Sequence, residues 1–251
     1  MGAELHWSRS AFFFAVSLRG WIGIILTPLV GPYLDRPNGP RILALIGGVI
    51  NTVSLLLIPW AVSDWQFTLL FGVLGGVAQA AQGGLTPATV PKWFVRQRGS
   101  AVAISTLGGS VTAVILPPLI AVVSDAAGWR AAWLALAAGA FLLGTLPTPL
   151  LHREPEDLGM LPDGGPRREP EQRSVPTPRA DEPAFTRDEA LHTSAFWMLL
   201  IVIAIGSLAN NGIPATLAPI FVDRGYAFEI GAASLAWYGV GSIVTKIVWG
   251  W

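Results

Sequence analysis

Seven segments of this 251-residue chain are almost free of charge: 11–34, 42–62, 67–90, 101–123, 131–151, 195–222 and 230–251. Each has at least 21 residues. A helix needs about 20 apolar residues to cross a bilayer. Arg19 and Lys246 are the two charged residues inside these segments. A soluble fold would have to bury seven consecutive helices that lack a polar face, and a helix apolar all round belongs in a membrane or a deep core. The sequence therefore predicts an all-α membrane protein with seven transmembrane helices.

Composition excludes several other classes. Charged residues make up 13% of the chain, about half the usual share for a soluble domain. Sixteen basic and sixteen acidic residues cancel, so no basic surface points to nucleic acid. Cysteine is absent, and His6, His152 and His192 are scattered. That removes disulfides, thiolate chemistry and any metal-ligand spacing. With no nucleophile–base pair and no phosphate-cradling loop, neither an enzyme nor a cofactor is expected.

Lysine and arginine placement predicts orientation. Alternate connections carry eleven basic residues, from Arg36 and Arg41 through Lys92, Arg96 and Arg98 to the arginines of 152–194. The other set carries Arg9, Arg130 and Arg224. The first set is expected in the cytoplasm. Trp60, Trp65, Trp93 and Trp129 are among the tryptophans near segment ends, where amphipathic rings favour the headgroup level.

The stretch 152–194 is rich in Pro, Arg and Glu. Its middle has almost nothing apolar to bury, so it is expected to stay largely disordered. Thr186-Arg-Asp-Glu189 has the capping-box pattern and predicts a short helix over 186–193.

Between the first two segments lies Gly31-Pro-Tyr-Leu-Asp35-Arg36-Pro-Asn-Gly39-Pro-Arg41. A turn this short returns the second helix antiparallel to the first. The spacing resembles the signature turn of the major facilitator superfamily, with one residue inserted between Arg36 and Gly39. The resemblance implies a plan of two six-span halves joined by a long cytoplasmic loop. Within it, 1–151 corresponds to the N-terminal half without its first span, 152–194 to the inter-half loop, and 195–251 to spans seven and eight. On this plan the chain reads as a partial bundle, a truncated piece of a carrier whose complete form is a monomer.

Four further stretches resemble the oxalate/formate antiporter and monocarboxylate transporter branch of that superfamily. They are His6-Trp-Ser-Arg-Ser10, Trp93-Phe-Val-Arg-Gln-Arg98 with the small residues up to Gly109, Gly128-Trp-Arg-Ala131, and Pro155-Glu-Asp-Leu-Gly-Met-Leu-Pro-Asp-Gly164. Lys246 followed by Gly250 matches a basic-residue pattern of the same branch. The resemblance implies a small organic anion as substrate, a plasma (inner) membrane location, and a substrate-carboxylate contact at Lys246.

The chemistry within the membrane centres on the two cations. An ionisable residue at depth is costly and marks a pathway or site by default. Arg19 is the ninth residue of its segment, about 12–14 Å from the boundary at 1.5 Å per residue. Its guanidinium is suited to grip a carboxylate through two parallel hydrogen bonds, whereas lysine keeps the charge without the fork. Gln79 and Gln82 share a face at i,i+3 spacing and are candidates to complete the site. So are Asn210 and Asn211, where a Gly/Pro break predicts a locally unwound helix. Each of these also has a plain interhelical hydrogen-bonding role open to it. No Asp or Glu lies in any segment, which favours anion exchange or uniport over proton coupling.

In the signature turn, Gly31, Asp35, Arg36, Gly39 and Arg41 are read as gating residues. Asp35 is expected to pair with Arg96 or Arg98. Two other readings of the whole chain remain: an inert truncated piece, and a seven-span retinal-type receptor with Lys246 as the Schiff-base lysine. The second lacks an intramembrane carboxylate as counter-ion.

Overall fold

The computed structural model describes residues 2–5, 7–164 and 187–250. Among them the architecture is helical. A short α1 (Gly2–Leu5) precedes α2 (Arg9–Leu34), which starts where the Ser8 hydroxyl accepts from the Ala11 N–H at 3.2 Å. That is the expected side-chain cap for an orphan donor of the first turn. α3 (Gly39–Leu57) returns antiparallel and ends in a 3₁₀ turn at Ile58–Trp60. α4 (Asp64–Phe67) runs on through a π-helical stretch, Thr68–Leu74, into α5 (Gly75–Gly83) and α6 (Leu85–Trp93). Its start is fixed by Gln66 Oε1, which accepts from the Val62 and Ser63 N–H groups at 2.9 and 3.3 Å.

α7 (Arg98–Gly139) is the longest element, followed by a π-helical stretch, Ala140–Thr145, and a 3₁₀ turn, Thr148–Leu150. This run of 53 residues would be about 80 Å long if straight, more than twice the ~30 Å hydrocarbon core. It breaks at Gly128, with φ 80° and ψ 168°, a conformation essentially restricted to glycine. Three short pieces follow: the 3₁₀ turns Pro155–Leu158 and Pro162–Gly164, and α8 (Arg187–Leu191). Then come α9 (Ser194–Asp223) and α10 (Phe228–Gly250). Of the segment expected to be helical over 186–193, Thr186 lies outside the described residues, as does most of the stretch expected to be disordered.

Five helical runs among the described residues are long and apolar enough to cross a bilayer: Ser10–Leu34, Gly39–Trp60, Asp64–Trp93, Arg98–Leu150 and Ser194–Pro214. The fourth carries chain enough for two crossings. Ala233–Val248 is a shorter apolar helix. The seven charge-poor segments thus fall on five such runs and one shorter helix. α9 departs from expectation in one respect. It continues unbroken past Asn210, Asn211 and Pro214, because a proline is tolerated where hydroxyls and neighbours satisfy the freed backbone groups.

Packing is concentrated in two places. At the end of α2 where it begins, Ala15, Leu55, Ile58, Phe67 and Ala137 form a buried cluster. Phe67 and Phe71 stack at 5.3 Å, Phe12 stacks on Phe67 at 5.5 Å, and Trp133 meets Phe71 edge-on at 6.0 Å. Such aromatic pairs add to their buried area about 0.5–1.5 kcal/mol each. The second place is α10, which packs along α7 and also against α9. Elsewhere large apolar side chains face outward, among them Trp21, Ile24, Leu143 and Ile203. Exposed apolar surface on this scale marks contact with lipid or with other membrane helices.

Near the cluster, the Glu4 carboxylate accepts from Trp129 Nε1 at 2.6 Å and from Arg130 Nη1 at 2.9 Å. These bonds, Trp129 first and Arg130 second, hold its pKa below the ordinary carboxylate value. A lowered folded pKa gives a contribution that is full above the unfolded value and is lost as pH falls through the folded one. Wild type and Glu4→Gln are therefore expected to differ in melting temperature at neutral pH and to converge in acid. The check is a detergent thermal-shift series across pH.

Candidate functional site

The signature turn sits at the far end of α2. Asn38 takes a left-handed conformation, φ 60°, at the start of α3, which asparagine tolerates better than most residues. This absorbs the extra residue between Arg36 and Gly39. A side chain at 39 would collide with the Tyr33 carbonyl, so glycine is required there by space. Gly31 has open space around it. The Arg36 guanidinium lies over the Tyr33 ring at 4.4 Å, and Arg41 lines a cavity with Asn38, His152, Arg153 and Asp157.

Asp35 does not take the partner expected from the sequence. Its carboxylate pairs with Lys92 Nζ at 3.0 Å instead of Arg96 or Arg98. Lys92 is in the last turn of α6, facing the end of α2. The chain leaves the helix at Phe94, with φ −123° and ψ 110°, which carries Arg96 away. The Val95 and Arg96 N–H groups donate to the two oxygens of Asp163, at 3.1 and 3.0 Å. Arg153 Nη1 donates to the Asp35 carbonyl at 2.7 Å, and its Nη2 pairs with Glu154. Trp93 Nε1 donates to the His152 carbonyl at 3.3 Å. Residues 152–163 thus fold back over the end of the bundle.

The Asp35 side chain is 78% exposed, and exposed pairs contribute about 0–1 kcal/mol. Asp35→Asn is expected to shift unfolding by less than about 1 kcal/mol, read from melting in detergent. A larger loss would mean that the pair is shielded from solvent.

Arg19 lies along one row of the adjacent run. It is 4.9 Å from the Phe71 ring centre, its side chain covers Gly75, and Nε donates to Gln79 Oε1 at 3.4 Å. Phe71, Gly75 and Gln79 are spaced by four residues, so they share a helix face. Gln82 goes elsewhere and packs over Gly47 of α3. The two glutamines therefore do not converge. Asn210 and Asn211 fall in α9, where their side chains lie outside the described residues.

Lys246 is the better-defined cation. Its Nζ donates to the Thr106 carbonyl at 2.9 Å and to Ser110 Oγ at 2.8 Å. Ser110 Oγ is also 2.8 Å from Ser242 Oγ. Ser110 is buried, 4% exposed. Close approach of the two helices is permitted by Gly239, which faces Val114 and the Ser110 carbonyl. A cavity of about 400 Å³ opens here between α7, α9 and α10, with Ser110, Pro117, Pro214, Tyr238, Ser242 and Lys246 in its wall. Among the described residues, no acidic residue lines it. Nothing in the sequence singles out Ser110 or Ser242, since serines in small-residue helices are commonplace and the pair is 132 positions apart.

The sequence model of the Major Facilitator Superfamily matches residues 1–251. The chain belongs to the major facilitator superfamily. It is similar to the Uncharacterized MFS-type transporter YcxA of Bacillus subtilis, 30% identical over 61% of this chain and 38% of that protein. It is 27% identical to Monocarboxylate transporter 11 of Homo sapiens, over 88% of this chain and 44% of the other. It is 31% identical to Riboflavin transporter MCH5 of Saccharomyces cerevisiae, over 47% of this chain and 21% of the other. The chain thus spans less than half the length of each of these relatives. As a member of the major facilitator superfamily it is a multi-pass integral membrane protein of a transporter family, not an enzyme.

Proposed function

We propose that this protein takes part in carrying small organic anions, mono- or dicarboxylates, across a membrane by alternating access. The observation that carries the reading is Lys246: an ammonium in the apolar helix α10, in the wall of a cavity that, among the described residues, no acidic residue lines. A fixed cation at depth is stabilised by an anion and marks a pathway. Arg19, beside Gln79, is a second cation for the same route. The monocarboxylate transporters among the relatives support this substrate class.

In this reading 1–151 is the N-terminal half bundle, 152–194 the inter-half loop on the cytoplasmic side, and 195–251 the start of the second half. The carrier is a monomer in the plasma (inner) membrane. Asp35, Lys92 and Arg153 sit at the cytoplasmic end and act on gating. The absence of Asp and Glu from the apolar segments favours exchange of one anion for another.

The test is counterflow in liposomes with the protein expressed from its complete reading frame. Labelled oxalate, formate, lactate and pyruvate are offered, with riboflavin as the contrasting substrate. Accumulation of a carboxylate against an unlabelled internal pool is expected. Exchange of riboflavin alone, or of none of the five, would overturn the reading.

A further inference from the structure

We infer that Ser242 is the second arm of the carboxylate grip at Lys246, held in place by Ser110; the inference rests on the proposed anion-carrier function. Lysine presents a point charge, and one ammonium does not reproduce the two parallel donors of an arginine fork. The structure supplies the missing donor on the same helix. Ser242 precedes Lys246 by four residues, so both lie on one face of α10. Both line the cavity between α7, α9 and α10.

The hydrogen-bond arithmetic sets the roles. An ammonium has three N–H donors. Two go to the Thr106 carbonyl and Ser110 Oγ, and the third remains for a ligand. Ser110 Oγ accepts from Lys246 and has one proton of its own. Directed at Ser242 Oγ, 2.8 Å away, that proton leaves the Ser242 hydroxyl hydrogen available to the cavity. Nζ and the Ser242 oxygen both lie 2.8 Å from the same Ser110 oxygen, so they are near neighbours. One carboxylate oxygen takes the Lys246 proton donor and the other the Ser242 hydroxyl. Polarisation along the chain from Lys246 through Ser110 strengthens that last donor. Ser110 touches no substrate here; it is a positioning residue that fixes both arms from α7.

The arrangement also bears on substrate class. Lys246 is the single charged residue among the described residues lining the cavity, so one carboxylate is matched and a second is not. The remaining wall, with Pro117, Pro214, Leu235 and Tyr238, suits an apolar or weakly polar tail. Monocarboxylates are favoured over dicarboxylates at this position.

Counterflow kinetics of the protein from its complete reading frame test this, using lactate and pyruvate. Ser242→Ala is expected to raise KM about tenfold, the value of one hydrogen bond to a charged group, with maximal rate nearly unchanged. Ser242→Thr, which keeps the hydroxyl, restores KM. In a Lys246→Arg background the fork fills both donor positions, so Ser242→Ala there changes KM by less than about twofold. If Ser242→Ala does not accumulate in the membrane, Ser242→Cys takes its place. An unchanged KM in Ser242→Ala, or the same tenfold rise in both backgrounds, overturns the inference while leaving the carrier reading intact. Absence of carboxylate exchange by the unsubstituted protein removes both.

Discussion

Lys246→Gln is expected to lower carboxylate exchange about a hundredfold, mostly through KM. Glutamine is one bond shorter than lysine, but the α7–α10 contact also rests on the close approach at Gly239 and survives. What is lost is the charge that faces the cavity. A hydrogen bond to a charged group contributes about 1.5–3 kcal/mol, and each 1.4 kcal/mol is tenfold in affinity. Lys246 is half-buried against α7, so the upper part of that range applies. Lys246→Arg retains the charge and is expected to keep exchange within about tenfold of wild type. Counterflow rates at several substrate concentrations separate the two variants. Equal rates for wild type and Lys246→Gln, with both folded, would show that the ammonium only joins two helices.

Gly76→Val is expected to disrupt the packing of α2 against α5. A Cβ at 76 would stand 2.7 Å from Ile22 Cβ and 2.9 Å from the Arg19 carbonyl. One of those atoms is backbone, so α2 must move as a body. Overpacking of this kind costs about 1–3 kcal/mol or more, and bilayer helices associate through close packing because lipid is as apolar as their side chains. The displacement also lifts Arg19 from Phe71 and Gln79. Gly20, next to Arg19 on α2, has open space around it, and Gly20→Ala is expected to be near neutral. Melting in detergent, with monodispersity as a second readout, distinguishes them. Equal melting of the two variants would mean that α2 slides without cost.

The spans were legible because length and the absence of charge are all that lipid demands of a helix. The turn was legible because Gly39 and the Asp35-Arg36 pair occupy fixed offsets. Side-chain pairing across the bundle was not. Lys92 and Arg96 are equivalent in composition; the difference lies in where α6 ends, and boundaries are the least readable part of a sequence. Gln79 and Gln82 are about 60° apart around a helix axis at 100° per residue. That is near enough to share a face, yet one meets α2 and the other α3. The expected break in α9 failed because Pro214 is compatible with a continuous membrane helix. Ser110 and Ser242 needed three dimensions outright, since a serine reads the same whether it caps a backbone carbonyl or lines a cavity.

The two bonds from Asp163 to the start of the 94–97 loop have a mechanical result. They moor the chain beyond the last apolar helix of 1–151 at a point just ahead of Arg98, where α7 begins. A pull on the connecting stretch is then delivered to the start of α7, the part that carries Ser110, before it reaches the part beyond Gly128 from which the stretch emerges. The tether and the cavity beside Lys246 share one lever arm.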